Sequence, residues 1–156
     1  MVLYLLRHGE AAPGDRRSGD FGRTLTPEGK SRIERLARLL NQRKVAFGKV
    51  LVSPAKRTME TMFLFESVLG AFRREEDDNL YEGSPSDLLR ALTKQGADIQ
   101  TILLIGHNPG ISALASFLSG EEFISLQPGM MAVIDFGFGG WDLLSSKSGV
   151  LKEILQ

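Results

Sequence analysis

Two stretches of nearly unbroken apolar sequence, Val2-Leu-Tyr-Leu-Leu6 and Thr101-Ile-Leu-Leu-Ile105, constrain this chain most. A strand with one face in water alternates apolar and polar residues, whereas a strand covered on both faces reads as a continuous apolar run. Such runs belong to parallel sheets with helices on either side. Helical patterns separate them here. Thr26-Pro27-Glu28 reads as a hydroxyl N-cap, a first-turn proline and an acid at the positive end of a helix. Ile33, Leu36, Ala37, Leu39 and Leu40 then share one face. Val50–Val52 is a further short strand, and Ser53-Pro54 opens a second helix with Ser53 as its expected cap. Met59, Met62, Phe63, Phe65 and Val68 form that helix's core stripe, and Gly70 ends it. The charged run Arg73–Asp78 reads as an exposed edge or loop. Ser84-Pro85-Ser86-Asp87 starts a third helix, and Pro109-Gly110 leads into a fourth over 111–118. Met130–Phe136, Trp141–Leu144 and Val150–Leu155, with Gly137, Gly139 and Gly140 between the first two, predict an antiparallel end. The expected fold is α/β: a three-layer αβα sandwich, mostly parallel in its sheet, with an antiparallel C-terminal strand or hairpin. It is expected as one domain over 1–156.

Composition removes several classes of function. Nineteen basic residues balance nineteen acidic ones, so no global field draws the chain to nucleic acid or anionic lipid. The absence of cysteine excludes thiolate nucleophiles, disulfides and zinc ribbons. The apolar opening is short and interrupted by Arg7 and His8, unlike a secretory signal, so a cytoplasmic monomer is expected. No run approaches the ~18 apolar residues of a membrane span.

The chain has two histidines, and both follow buried-strand runs. His8 lies in Leu-Leu-Arg-His-Gly and His107 in Leu-Ile-Gly-His-Asn-Pro-Gly. In open α/β sheets ligands bind outside the carboxyl ends of the strands, so one shared site is expected. A metal there would need further ligands, for which Glu10 and Asp15 are near in sequence. The fixed cation Arg7 beside His8 argues against a metal and for an anion, since its planar fork suits phosphate. Lys56 and Arg57 fall in the first turn of the second helix, where cations oppose the helix dipole. Lys56 is expected to point into water, and Arg57 to meet an anion held at the helix mouth. No Gly-x-Ser-x-Gly elbow competes. Gly22 to Gly29-Lys30-Ser31 has the wrong spacing for a phosphate-binding P-loop and no preceding strand.

These residues also match a known pattern. Leu6-Arg7-His8-Gly9-Glu10 resembles the Arg-His-Gly signature of the histidine phosphatase superfamily, the phosphoglycerate-mutase-like enzymes. Arg23-Thr-Leu25-Thr26-Pro-Glu-Gly29, Ser53-Pro54-x-x-Arg57-x-x-x-Thr61 and Gly106-His107-Asn108-Pro109 are similar to its later motifs, in the family's order. Short length and the Gly-His-Asn-Pro form most resemble the SixA-type phosphohistidine phosphatases.

The resemblance implies that His8 is the nucleophile and forms a phosphohistidine, with its other ring nitrogen donating to a fixed acceptor such as a nearby backbone carbonyl. It implies that Arg7, Arg57 and His107 hold the phosphoryl oxygens, with no metal and no cofactor. Glu82, in Leu80-Tyr81-Glu82-Gly83, is either the proton donor to an ester leaving group or an ordinary exposed loop acid. Arg16, Arg17 and Arg23 are expected in a solvated loop. The implied substrate is phosphohistidine on a partner protein. The alternatives are a phosphoserine or small phosphate ester, and a module that binds phosphoproteins without turnover.

Overall fold

The apolar runs become strands because helices cover both of their faces. The computed structural model describes residues 1–156 apart from Asp15, Ser18 and Phe138. Its strands are β1 (Val2–Arg7), β2 (Lys49–Val52), β3 (Arg74–Glu76), β4 (Thr101–Gly106), β5 (Met131–Asp135) and β6 (Val150–Leu155). They form one sheet in the order β3-β2-β4-β1-β5-β6. The first four named in that order run parallel, β5 is antiparallel to β1, and β6 is antiparallel to β5. The helices are α1 (Pro27–Gln42), α2 (Lys56–Leu69), α3 (Pro85–Thr93) and α4 (Gly110–Ser119).

Alternation along each strand sorts its side chains between two cores. Leu3, Leu5, Leu51, Ile102 and Leu104 pack with Leu88 and Leu92 of α3 and with Ile111, Leu114 and Leu118 of α4. Leu6, Val50, Val52, Leu103 and Ile105 face the other way, onto Ile33, Leu36 and Leu40 of α1 and Met62 and Phe65 of α2. This is the three-layer sandwich. Among the described residues no helix is long and apolar enough to cross a membrane.

The local signals act as their chemistry dictates. The Thr26 hydroxyl accepts the Gly29 N–H at 2.9 Å, a cap of the kind that contributes about 1 kcal/mol. Ser84 and Asp87 close a reciprocal capping box on α3. Strand β3 is exposed throughout and charged, with Glu75 paired to Lys49, so the sheet's edge discourages further pairing.

Two expectations need correction. Phe63 does not join the core stripe of α2; it is 47% exposed and lies under the Arg74 guanidinium, 5.6 Å from its ring centre. Thr58 and Thr61 are buried instead, because this helix turns hydroxyls toward the loops at the strand ends. Residues 141–144 do not form a strand either. Trp141–Leu143 is a single 3₁₀ turn, and the antiparallel mate of β5 is β6. The Trp141 indole is fully buried and donates to the Ile99 carbonyl at 2.7 Å. A large ring gains more from core burial with its N–H satisfied than from a place in an exposed ribbon.

The connections position the site. Adjacent parallel strands β1 and β4 lead to helices on opposite faces of the sheet, α1 and α4, which opens a crevice at their carboxyl ends. Register aligns Arg7 with Gly106, so His8 and His107 emerge side by side.

Candidate active site

The two imidazoles stand 5.1 Å apart between ring centres and are nearly buried. Their hydrogen bonds set the tautomer of each. His8 Nδ1 lies 2.7 Å from the Gly9 carbonyl. A carbonyl can only accept, so Nδ1 carries the proton and Nε2 the lone pair. Arg57 Nε donates to that Nε2 at 3.1 Å. His107 has the opposite arrangement: Arg57 Nη2 donates to its Nδ1 at 3.0 Å, leaving its Nε2–H to donate to Ser53 Oγ at 2.8 Å. One guanidinium thus bridges two neutral rings.

Electrostatics favour that state. Burial, with the charges of Arg57 and Arg7 outweighing the Gly9 hydrogen bond, lowers the His8 pKa to about 4. Burial, followed by Arg57 and the other imidazole, lowers His107 to about 3. Both rings are neutral at neutral pH, each with one N–H.

The helix that carries Arg57 is fastened to the nucleophile loop. Thr61 Oγ1 accepts the Gly9 N–H at 3.1 Å and donates to the Arg57 carbonyl at 2.8 Å. The Thr58 hydroxyl lies 2.7 Å from the carbonyls of Ser53 and Ala55. Lys56 is exposed, whereas Arg57 is 4% exposed. Arg7 reaches the same cleft from β1, and its Nη1 donates to the Leu126 carbonyl at 3.0 Å. Its Nε is buried with no hydrogen-bond partner among the described residues. Burial, then Arg57, lowers the Arg7 pKa. A buried cationic donor without an acceptor is costly unless an anion supplies one.

Arg7, His8, Arg57, His107 and Glu82 all line one cleft of about 410 Å³, with Glu10, Asp20 and Arg23 also on its walls. Among the described residues, no group of three His, Asp or Glu side chains converges as a metal site. Asp15 lies outside the described residues.

The family model of the histidine phosphatase superfamily (branch 1) matches residues 3–135. The chain belongs to that superfamily. It is a phosphatase. It is 26% identical to an uncharacterised chloroplastic protein of Arabidopsis thaliana, over 94% of this chain and 72% of that protein. Among solved structures it is similar to a protein from Nakamurella multipartitia assigned as the phosphohistidine phosphatase SixA. That match has a TM-score of 0.88 and 26% identity, covering 99% of this chain and 95% of the other. A SixA complexed with tungstate superposes with a TM-score of 0.84 at 23% identity, covering 100% and 97% of the two chains. A structure from Escherichia coli assigned as an alpha-ribazole-5'-P phosphatase gives 0.72 at 18%, covering 100% and 96%. The last two likenesses speak to fold alone.

Several residues of the phosphatase's cleft fall outside the sequence expectations. Asp20 was not anticipated. Its carboxylate accepts from Arg57 Nη2 at 2.9 Å, from Tyr81 Oη at 2.9 Å and from Arg23 Nη1 at 3.1 Å, and its carbonyl accepts from Arg57 Nη1 at 2.6 Å. Slight burial raises its pKa, but the hydrogen bonds from Arg23, Tyr81 and Arg57 outweigh this and hold it at about 2. Arg23 is only partly solvated: its side chain is 31% exposed, and it also donates to the carbonyls of Ala12 and Ala11, at 2.7 and 3.2 Å. That spacing, three residues after Asp20, was the one available signal for the pair.

Ser53 is not the helix cap. Ala55 holds that position without a side-chain bond, and the fully buried Ser53 hydroxyl serves His107 instead. A deep buried imidazole N–H needs an acceptor more than the helix end does, because the Phe21 carbonyl already takes the Lys56 N–H at 3.1 Å.

Glu82 sits exposed on the rim with φ of 51°. A side chain in the left-handed region carries backbone strain, which persists only where the surroundings enforce it. Here Gly110 enforces it: a Cβ at that position would collide with the Gly83 carbonyl, so the start of α4 packs directly on the Glu82 loop.

Proposed function

We propose that this phosphatase removes phosphate from phosphohistidine on a partner protein, through a covalent phosphohistidine on His8 and without a metal ion. The observation that carries the reading is the pair of oppositely oriented neutral imidazoles bridged by Arg57. A nucleophilic nitrogen must hold a lone pair at working pH, and His8 Nε2 does. Arg7 and Arg57 supply guanidinium donors for the phosphoryl oxygens. His107 Nδ1 becomes a third donor when a phosphate dianion raises its proton affinity.

In the first step the His8 Nε2 lone pair attacks phosphorus in line. The P–N bond to the substrate's imidazole breaks, and that ring leaves with the bonding pair and takes up a proton from water. Water then attacks the phosphohistidine, the His8–P bond breaks, and inorganic phosphate departs with His8 again neutral. Positioning and charge stabilisation do the work in both steps. Imidazole is a better leaving group than an alkoxide, which suits a site whose candidate proton donor, Glu82, is exposed on the rim.

Two further observations support a protein substrate. Only a three-residue strand and one 3₁₀ turn lie between α2 and α3, so that connection carries no inserted lid. A similar structure is assigned as SixA, and another SixA holds tungstate, a tetrahedral oxyanion.

The test compares wild type with His8→Ala on a histidine-phosphorylated protein and on an aryl phosphate, with chelator present. Wild type is expected to release phosphate from the protein and to trap acid-labile phosphate on His8, both lost in the variant. Activity abolished by chelator, or phosphate trapped elsewhere, refutes the mechanism.

A further inference from the structure

The outer face of α1 carries arginines at 32, 35, 38 and 43 or just beyond its end, and they are not equivalent. Arg38 pairs with Glu34 at 2.8 Å and Arg43 with Glu153 at 2.7 Å. Arg32 and Arg35 are exposed, and neither is paired with a carboxylate among the described residues. Three positions apart, they project from one side of the helix. They line a groove of about 440 Å³ together with the segment Gln127–Met130 and Gln156. Glu34, the acid nearest the two arginines along α1, is taken by Arg38, and Glu28 shares a pocket with Arg32 and Arg35 without an ion pair among the described residues.

This groove adjoins the catalytic cleft. Pro128 lines both. The next residue, Gly129, holds a left-handed φ of 82° and donates its N–H toward the carbonyls of Arg7 and His8, at 3.1 and 2.9 Å. The groove wall is therefore tied to the backbone of the nucleophile. The chain as a whole is neutral, so this positive potential is local rather than a share of a global field.

We infer that the Arg32–Arg35 groove docks the acidic surface surrounding the phosphorylated residue of a partner protein. The inference rests on the phosphoprotein reading above. Two guanidiniums beside the cleft, without an ion pair among the described residues, favour carboxylates on an approaching surface within about a Debye length and accelerate encounter. A small phosphate ester reaches His8 without touching them.

The test uses an acidic protein phosphorylated on a surface histidine with phosphoramidate, and an aryl phosphate. Arg32→Glu/Arg35→Glu is expected to lower kcat/KM on the protein at least tenfold, mainly through KM, and to flatten its dependence on salt. Activity on the aryl phosphate should stay within twofold, which also reports an intact fold; Arg32→Gln/Arg35→Gln should fall between. Unchanged kinetics on the protein overturns the groove. Binding of the same protein to His8→Ala, with and without the double charge reversal, gives a turnover-independent reading. Equal binding overturns the inference, and weakened binding upholds it. Wild type inactive on the phosphohistidine protein but active on the ester refutes the substrate reading separately. Weakened binding to duplex RNA or anionic vesicles, with protein binding unaffected, assigns the groove to another partner and overturns it.

Discussion

Replacing Ser53 with Ala isolates one hydrogen bond beneath the active site. The hydroxyl is fully buried and receives His107 Nε2–H at 2.8 Å; among the described residues its other contact of this kind is a long 3.4 Å bond from the Ala55 N–H. The backbone bond from Ser53 N–H to the Ile105 carbonyl at 3.2 Å survives the change, as does acceptance of the Thr58 hydroxyl. What is lost is the acceptor for a buried imidazole N–H, a deficit of about 1–3 kcal/mol. The ring cannot escape by switching tautomer, because a proton on Nδ1 would face the Arg57 Nη2 donor. In a domain of this size each kcal/mol lowers Tm by about 2–4 °C, so a fall of about 2–12 °C is expected. In the proposed mechanism His107 gains a second proton beside bound phosphate, which increases the demand on this acceptor. If the same deficit appears in the transition state, kcat/KM falls about 5- to 150-fold at 1.36 kcal/mol per decade. Differential scanning calorimetry and steady-state phosphatase kinetics measure the two quantities. A variant with unchanged Tm and less than a twofold loss of kcat/KM would refute the tautomer argument.

Three other outcomes are expected. His8 and His107 have folded pKa values depressed to about 4 and 3 from 6.5, so between those limits the unfolded chain binds more protons. The stability they contribute is complete above about pH 6.5 and is lost as pH falls toward 4, by up to about 1.4 kcal/mol per pH unit for each ring. Urea midpoints that do not drop between pH 7 and pH 5 in wild type, or that drop equally in His8→Asn/His107→Asn, would contradict this. Glu82→Gln is expected to cut ester turnover at least tenfold while leaving phosphohistidine turnover within threefold, read by parallel assays; equal losses would mean Glu82 protonates neither leaving group selectively. Asp20→Ala removes a carboxylate that competes for Arg57 Nη2, so orthovanadate should inhibit two- to tenfold more tightly. An unchanged or weaker inhibition constant would show that Asp20 orients Arg57 rather than competing with ligand.

How much of this was legible in one dimension depends on the range of the interaction involved. Hydrophobic periodicity is a local property, and Val2–Leu6, Val50–Val52 and Ile102–Ile105 each lie within an observed strand. Caps are local too, which is why Thr26 and Ser84 act as their neighbours imply. The two imidazoles could be paired from sequence because a parallel sheet delivers equivalent strand ends to the same edge. Trp141 and Phe63 were misread because a large ring's position depends on what lies across the core, not on its own neighbours.

The chain's residue order alone therefore determined the layered architecture, the strand-end histidines and the arginines that accompany them. Tertiary structure decided the rest of the site: Asp20 against Arg57, Ser53 under His107, Thr61 beneath Gly9, and the tautomer of each ring. The physical reason is distance along the chain. These hydrogen bonds join residues 37 to 54 positions apart, apart from the His8–Gly9 contact itself. A lone pair or a proton is assigned only by the group that folding brings opposite it.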